Sequence, residues 1–277
     1  MLKQNPTTRN LELRISYHGQ GFYGWQIQPD KPTVQGALHQ ALARVLEKTP
    51  FKTLGASRTD TGVHAHDQHV NVWTQNPIPM DKLKLALNRV LPQGVRVLSV
   101  REAEADFSAR YHARAKHYTY YMNNRAQVSP FIQPYVWTDR RHLNHEAMHE
   151  AAQHFVGERE FKALQSQKDE RPHSTTTIFQ TRVWREGDLV GYEVLGHHFL
   201  YHMVRNMVGA LINVGRGEWT PDELKRRLDG RDRTKMGITA PASGLHLFQI
   251  YYEQAPLAFS PDSVRFAQFL NQAPHFV

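Results

Sequence analysis

The sequence predicts an α+β fold built as two similar mixed α/β halves, each with an antiparallel sheet flanked by helices. Three observations lead there. Several short runs alternate apolar and polar residues, the period of a strand with one buried face, and between them apolar residues recur at three- and four-residue spacing, the period of an amphipathic helix. Helical and hairpin segments are also mixed along the chain, an order that suits antiparallel sheets better than a parallel βαβ series.

In the first half, Leu11, Leu13, Ile15 and Tyr17 alternate with Glu12, Arg14 and Ser16, which predicts a strand. The loop HGQGFYGWQIQPDKP follows, and Thr33 is placed to cap a helix whose Val34, Leu38, Ala41, Leu42 and Val45 share one face before Pro50 ends it. HVNVWT predicts a strand beginning at His69, Asp81 to Val90 a helix burying Leu83, Leu87 and Val90, and GVRVLSV another strand. In the second half KHYTYYM reads as a strand and His145 to Val156 as a helix. TTIFQTRVWREGDLVGYEVLG reads as a hairpin turning at Glu186-Gly187. Leu200, Met203, Val204, Met207, Val208, Leu211 and Ile212 form one helical face, Thr220 to Glu223 reads as a capping box, and LHLFQIYY closes the sheet. The expected division is an N-terminal half over 10–106, a C-terminal half over 107–254, and a tail over 255–277 to which the sequence assigns no role.

Composition narrows the function. A chain of 277 residues suits about two domains, and 40% hydrophobic with 22% charged residues describes a globular protein. The polar start MLKQNPTTRN lacks a secretory apolar core, and MVGALINV is too short to span a bilayer, so the expected setting is cytoplasmic, without a membrane. The absence of cysteine excludes disulfides, thiolate zinc sites, iron–sulfur clusters and cysteine nucleophiles. Lys and Arg number 34 against 26 acidic residues, with 17 histidines besides, a balance that favours a phosphate polyanion. Arginine interleaved with aromatics, as in SARYHARAKHYTYYMNNR, is the composition that binds RNA backbone and stacks unpaired bases.

Four segments could carry chemistry. In SRTDTGVHA, Asp60 is either a turn residue relieved by Gly62 or a single functional carboxylate beside Arg58. YHGQGFYGWQIQP lacks dinucleotide-fingerprint spacing and reads equally as an ordered loop pinned by Trp25 or as a close approach to phosphate. GVHAHDQH offers His64, His66, Asp67 and His69 as metal ligands, although a strand from His69 would turn alternate residues apart. FLYHMVRNMVG sets Arg205 at the rim of an apolar helical face, near Tyr201 and His202 at helical spacing, where a cation needs an anionic partner such as Asp60.

Together SRTDTGVHA, YHGQGFYGWQIQP, KHYTYYMNN, FLYHMVRNMVGALINVGRG and APASGLHLFQIYY resemble, in order from about Leu11 to Tyr252, the motifs of TruA-type tRNA pseudouridine synthases. The resemblance implies a pseudouridine synthase fold with an active-site cleft between its halves. It also implies isomerisation of uridine to pseudouridine in the anticodon stem-loop of tRNA, at positions 38 to 40, by a homodimer without metal or cofactor. Asp60 would be the catalytic aspartate, Arg58 an aid to base flipping, Tyr118 the ring stacked on the target base, Arg205 the ion-pair partner of Asp60, and Leu245 the floor beneath the uracil. Thr61 stands where the family more often has alanine, and LQSQKDERPHSTTT departs from the usual counterpart, a difference that bears on tRNA selection. A non-catalytic RNA-binding module and a His/Asp metal-dependent hydrolase are the competing readings.

Overall fold

Alternation along β1 (Arg9–Tyr17) puts Leu11, Leu13 and Ile15 on one face, all fully buried. The computed structural model describes residues 8–166, 173–253, 259 and 261–272. The chain divides into two units, Met1–Arg114 and Ala115–Val277.

In the first unit α1 (Val34–Val45) starts at Thr33, whose hydroxyl accepts from Gly36 N at 3.1 Å. β2 (Phe51–Gly55) and β3 (His64–Thr74) follow, then α2 (Met80–Val90) and β4 (Val95–Glu102). All pairs are antiparallel: β1 lies between β3 and β4, and β2 pairs with β3. Leu38 and Leu42 of α1 and Leu83 and Leu87 of α2 are fully buried, each such side chain contributing roughly 1.5–3 kcal/mol. The third strand begins at His64 rather than His69, because Ala65 and Gln68 already pair with Tyr17 and Ile15. Residues 107–114 go with this unit. The Asn10 amide donates to the carbonyls of Glu104 and Phe107, both at 2.8 Å, and Ala109 N donates to Asn71 Oδ1 at 2.6 Å.

The second unit runs β5 (Ala115–Asn123), β6 (Trp137–Thr138), α3 (His145–Ala152), β7 (Gly157–Glu160), β8 (Thr175–Glu186), β9 (Leu189–Gly196), α4 (Met203–Gly215), α5 (Pro221–Asp229), β10 (Leu245–Tyr251) and α6 (Pro261–Gln272). The antiparallel order is β10-β5-β9-β8-β7, and β6 adds a short parallel pair to β5. The hairpin turns at Gly187-Asp188, one residue later than the sequence suggests, with Gly187 at φ +59°. Helix α4 starts only at Met203, since His202 is left-handed at φ +63°; Leu200, Tyr201 and His202 therefore precede the helix. Thr220 caps α5 by accepting from Glu223 N at 3.2 Å.

The tail has a structural place in α6. Its Ala267 and Leu270 pack with Tyr121, Ile132, Val136, Leu189 and Phe248. Ser263 Oγ donates to Glu193 at 2.6 Å and its carbonyl accepts from the Tyr121 hydroxyl at 2.8 Å. Glu193 is fully buried, a state that costs several kcal/mol for a bare carboxylate; Ser263, Arg182 and Trp184 Nε1 donate to it, and His117 lies at 3.4 Å. Residues 255–258, 260 and 273–277 of the tail, and 167–172 within LQSQKDERPHSTTT, lie outside the described residues.

Candidate active site

The loop carrying Asp60 leaves β2 at Gly55 and is held along its backbone. Ala56 N donates to His69 O at 2.9 Å, and Gln68 grips Ser57 through two bonds, Ser57 N to Oε1 at 3.1 Å and Nε2 to Ser57 O at 2.6 Å. Thr59 O accepts from Trp25 N at 3.0 Å, while the Thr59 and Tyr17 hydroxyls meet at 2.7 Å. Asp60 O accepts from Val63 N at 3.1 Å, closing a turn that Gly62 permits at φ +82°. Asp60 is left half-buried and Arg58 exposed.

The aromatic-glycine loop explains why the turn stays put. Trp25 is 1% exposed, a plug beneath the loop. Gly24 sits at φ +82°, and a Cβ there would stand 2.6 Å from Thr59 O, so only glycine lets this backbone lie against the Asp60 loop. Of the two readings open for the loop, the structure supports an ordered buttress pinned by Trp25.

In the second unit the β5 and β10 registers set Tyr118 opposite Leu247 and Tyr120 opposite Leu245, placing all four on one face of the sheet. The Tyr118 ring meets Phe199 edge-on, with centroids 5.1 Å apart, and is 6% exposed. Tyr120 is fully buried and donates to Pro241 O at 2.7 Å. Burial pushes its phenol well above the ordinary value, against the opposing charge of Arg205. Arg205, in the first turn of α4, donates Nε to Ala240 O at 2.7 Å and accepts from Ala240 N through its own carbonyl at 3.1 Å. The segment Ala240-Pro241 thus joins the arginine to the tyrosine face. Of the sequence-derived residues, Asp60 and Arg58 belong to the first unit, and Tyr118, Arg205 and Leu245 to the second. Tyr17, Gln68, Tyr120 and Phe199 were not singled out beforehand. Gln68 carries no signal of its own, whereas Tyr17 and Tyr120 stand inside quoted motifs and differ from other strand aromatics only by what their hydroxyls reach.

The histidine-rich run is otherwise employed. His64 Nδ1 accepts from Gly19 N at 3.1 Å, and His64 and His18 rings lie 4.8 Å apart. His69 lies between Glu12 Oε1 at 2.6 Å from Nδ1 and Asp67 Oδ2 at 3.1 Å from Nε2. Arg14 binds Asp67 at 2.8 Å, and Arg101 binds Glu12. Burial alone would lower the His69 pKa, but hydrogen bonds to Asp67 and Glu12 raise it. Burial would raise both acids, and His69 with the two arginines instead holds them below their usual range. Both ring nitrogens of an imidazolium between carboxylates are committed, so His69 is an ion-pair residue here.

A family model described as tRNA pseudouridine synthase matches residues 14–112 and 151–253. A relative named tRNA pseudouridine synthase A from Pseudothermotoga lettingae is 40% identical over 237 residues, 85% of this chain and 96% of the relative. One of the same name from Acetivibrio thermocellus is 38% identical over 244 residues, 88% of this chain and all of the relative. A solved H/ACA RNP bound to a substrate RNA containing 2′-deoxyuridine covers 73% of this chain and 53% of its own at 12% identity, with a TM-score of 0.29. The family model reaches into both units and covers the stretches that hold Asp60, Arg205 and Leu245, with Tyr118 lying between its two matched segments. The chain therefore belongs to the tRNA pseudouridine synthase family.

Proposed function

We propose that this enzyme isomerises uridine to pseudouridine in the anticodon stem-loop of tRNA, at positions 38 to 40, with Asp60 as the catalytic carboxylate. The observation that carries the reading is the Asp60 loop itself, whose backbone is fixed by Gln68, Trp25, Tyr17 and Val63 while the carboxylate stays half-buried. A group held this firmly meets its substrate without reorganising.

Cleavage of N1–C1′ builds positive character at C1′, as in glycoside chemistry, and a carboxylate stabilises or captures it. The freed uracil turns, C5 bonds to C1′, the C5 proton leaves to a base, and N1 takes up a proton. Arg58, exposed on the same loop, assists extrusion of the nucleotide from its stack. Tyr118 stacks on the detached base and Leu245 packs beneath it, which suits a ring edge fixed by Phe199 and a leucine on the same sheet face. Arg205 supplies the positive charge opposed to Asp60, with its orientation set through Ala240. The working form is a cytoplasmic homodimer that uses no metal.

Asp60→Asn tests the assignment. The amide keeps shape and removes charge, so a folded variant that still binds tRNA forms no pseudouridine when RNA digests are analysed by mass after chemical derivatisation. Substantial product from an uncontaminated preparation would remove Asp60 from the reaction.

A further inference from the structure

The second unit contains a cavity of about 410 Å³ that none of the roles above uses, lined among others by Gln133, Val136, Trp137, Thr138, Arg140 and Ser243. That volume lies in the range that holds small organic ligands. One wall is aromatic: Trp137 is half-buried in the short strand β6, where it stands opposite Met122. The arginines beside the lining residues in sequence are paired, Arg125 with Asp188 and Arg141 with Glu218, and Arg216 pairs with Asp139, the neighbour of Arg140. Arg140 differs, being exposed and engaged in no hydrogen bond or ion pair among the described residues. Nor do the side chains of Gln133, Trp137 and Thr138 hydrogen-bond any described residue. Next to them Asn123, opposite Thr138 in the ladder and 4% exposed, has a buried amide nitrogen that hydrogen-bonds to nothing among the described residues.

The walls are preformed. Asp139 accepts from Arg216 at 2.9 and 2.6 Å, its carbonyl accepts from Asn124 at 2.8 Å, and Ile132 and Val136 are anchored in the cluster with Tyr121 and Phe248. Ser243 donates to Val136 O at 3.3 Å and stands in the turn Ala242–Gly244 that opens β10, two residues before Leu245. A flat aromatic wall, several uncommitted hydrogen-bond donors and one unpaired guanidinium at the rim match a heterocyclic base joined to a phosphate.

We propose that this cavity is a second nucleotide subsite: an unpaired nucleotide of the RNA substrate, other than the one isomerised, stacks its base on Trp137 and sets a phosphate against Arg140. The subsite rests on the reading of the enzyme as acting on tRNA. Its chemistry fits a free nucleotide too, and the structure favours RNA because the cavity adjoins the turn that leads to Leu245.

The test measures affinity of a fluorescently labelled, unmodified tRNA transcript by anisotropy over a KCl series, with pseudouridine yield recorded for wild type on the same RNA. Arg140→Gln weakens binding and lowers the log–log salt slope by about one counterion. Trp137→Ala weakens it by about 5- to 150-fold, the fold-change of one lost base–aromatic stack, while Trp137→Phe keeps most of the affinity. Thermal melts accompany each variant; if Trp137→Ala misfolds, the exposed Arg140→Gln and the conservative Trp137→Phe decide. Unchanged affinity and slope in Arg140→Gln and in a folded Trp137→Ala would overturn the subsite. So would quenching of Trp137 fluorescence by uridine or adenosine 5′-monophosphate with tRNA affinity unaltered in the variants, which marks a free-nucleotide site. Failure of wild type to bind or modify the transcript would instead overturn the tRNA reading, a result distinguishable from the other two.

Discussion

Replacing Gly24 by alanine separates two things glycine does in the loop beside Asp60. Gly24 and Gly21 both have positive φ, +82° and +87°. Alanine at either pays the left-handed penalty of about 1–2 kcal/mol, worth roughly 3–8 °C in melting temperature. At Gly21 that is the whole effect, because a Cβ there meets nothing within 4 Å. At Gly24 the Cβ falls 2.6 Å from Thr59 O and 3.1 Å from Asp60 C, about 0.8 Å inside ordinary contact with the former, and both neighbours are backbone. The Asp60 loop must therefore shift by a comparable distance, and a displacement near 1 Å at a catalytic group costs on the order of 10²-fold in rate. Single-turnover release of tritium from C5 of labelled uridine in tRNA, at saturating enzyme, reads that rate beside thermal melts. The expectation is a further drop in melting temperature for Gly24→Ala relative to Gly21→Ala, the cost of the backbone clash, with a large rate loss only in Gly24→Ala. Equal rates in the two variants would refute the claim that this loop positions Asp60.

At Tyr118, phenylalanine retains the edge contact with Phe199 and the stacking face; turnover falls by about 10²–10⁴ if the phenol is the base that removes the C5 proton. Alanine weakens the flipped complex by a further ~1–3 kcal/mol; a fully active, normally binding Tyr118→Phe would exclude the base role. The ion cluster around His69 predicts a stability maximum between acid and alkaline limbs. His69 has a raised pKa, so its contribution is complete below about pH 6.5 and fades as pH rises through the raised value. Glu12 and Asp67 have lowered values, so theirs is present above about pH 4.5 and is lost as acid protonates them. His69→Gln should flatten the alkaline limb in urea titrations run against pH, and an unchanged limb would assign it elsewhere. Arg205→Met should reduce turnover more than tRNA affinity, measured by single turnover and anisotropy, and equal losses would make Arg205 a binding residue.

Local pattern determined much of this protein. Period-2 alternation is enough for β1, because Leu11, Leu13 and Ile15 must leave water together whatever they pack against. Thr33 and Thr220 announce helix starts through a bond three residues long. The motif residues around Asp60, Tyr118 and Arg205 were legible as well, since residue type at fixed spacing is a property of the chain.

Contacts between residues distant in sequence had to wait for the tertiary structure. The short β2 and β6 carry too few residues for a period to emerge, and they exist because β3 and β5 offer them ladders. Helix α4 begins three residues after Leu200, since His202 is left-handed, a backbone state that hydrophobic spacing does not encode. HAHDQH reads as ligands until Glu12 and Arg14 on β1 and Arg101 on β4, all more than 30 residues from His69 in sequence, convert His69 and Asp67 into an ion-pair cluster. What fixes the backbone on either side of Asp60 is likewise not local: Gln68, Tyr17 and Trp25 reach the loop from other strands and loops. Sequence order brings chemistry-bearing residues into a motif, but only chain packing sets which of them are immobilised, which are neutralised by partners, and which stay open to a substrate.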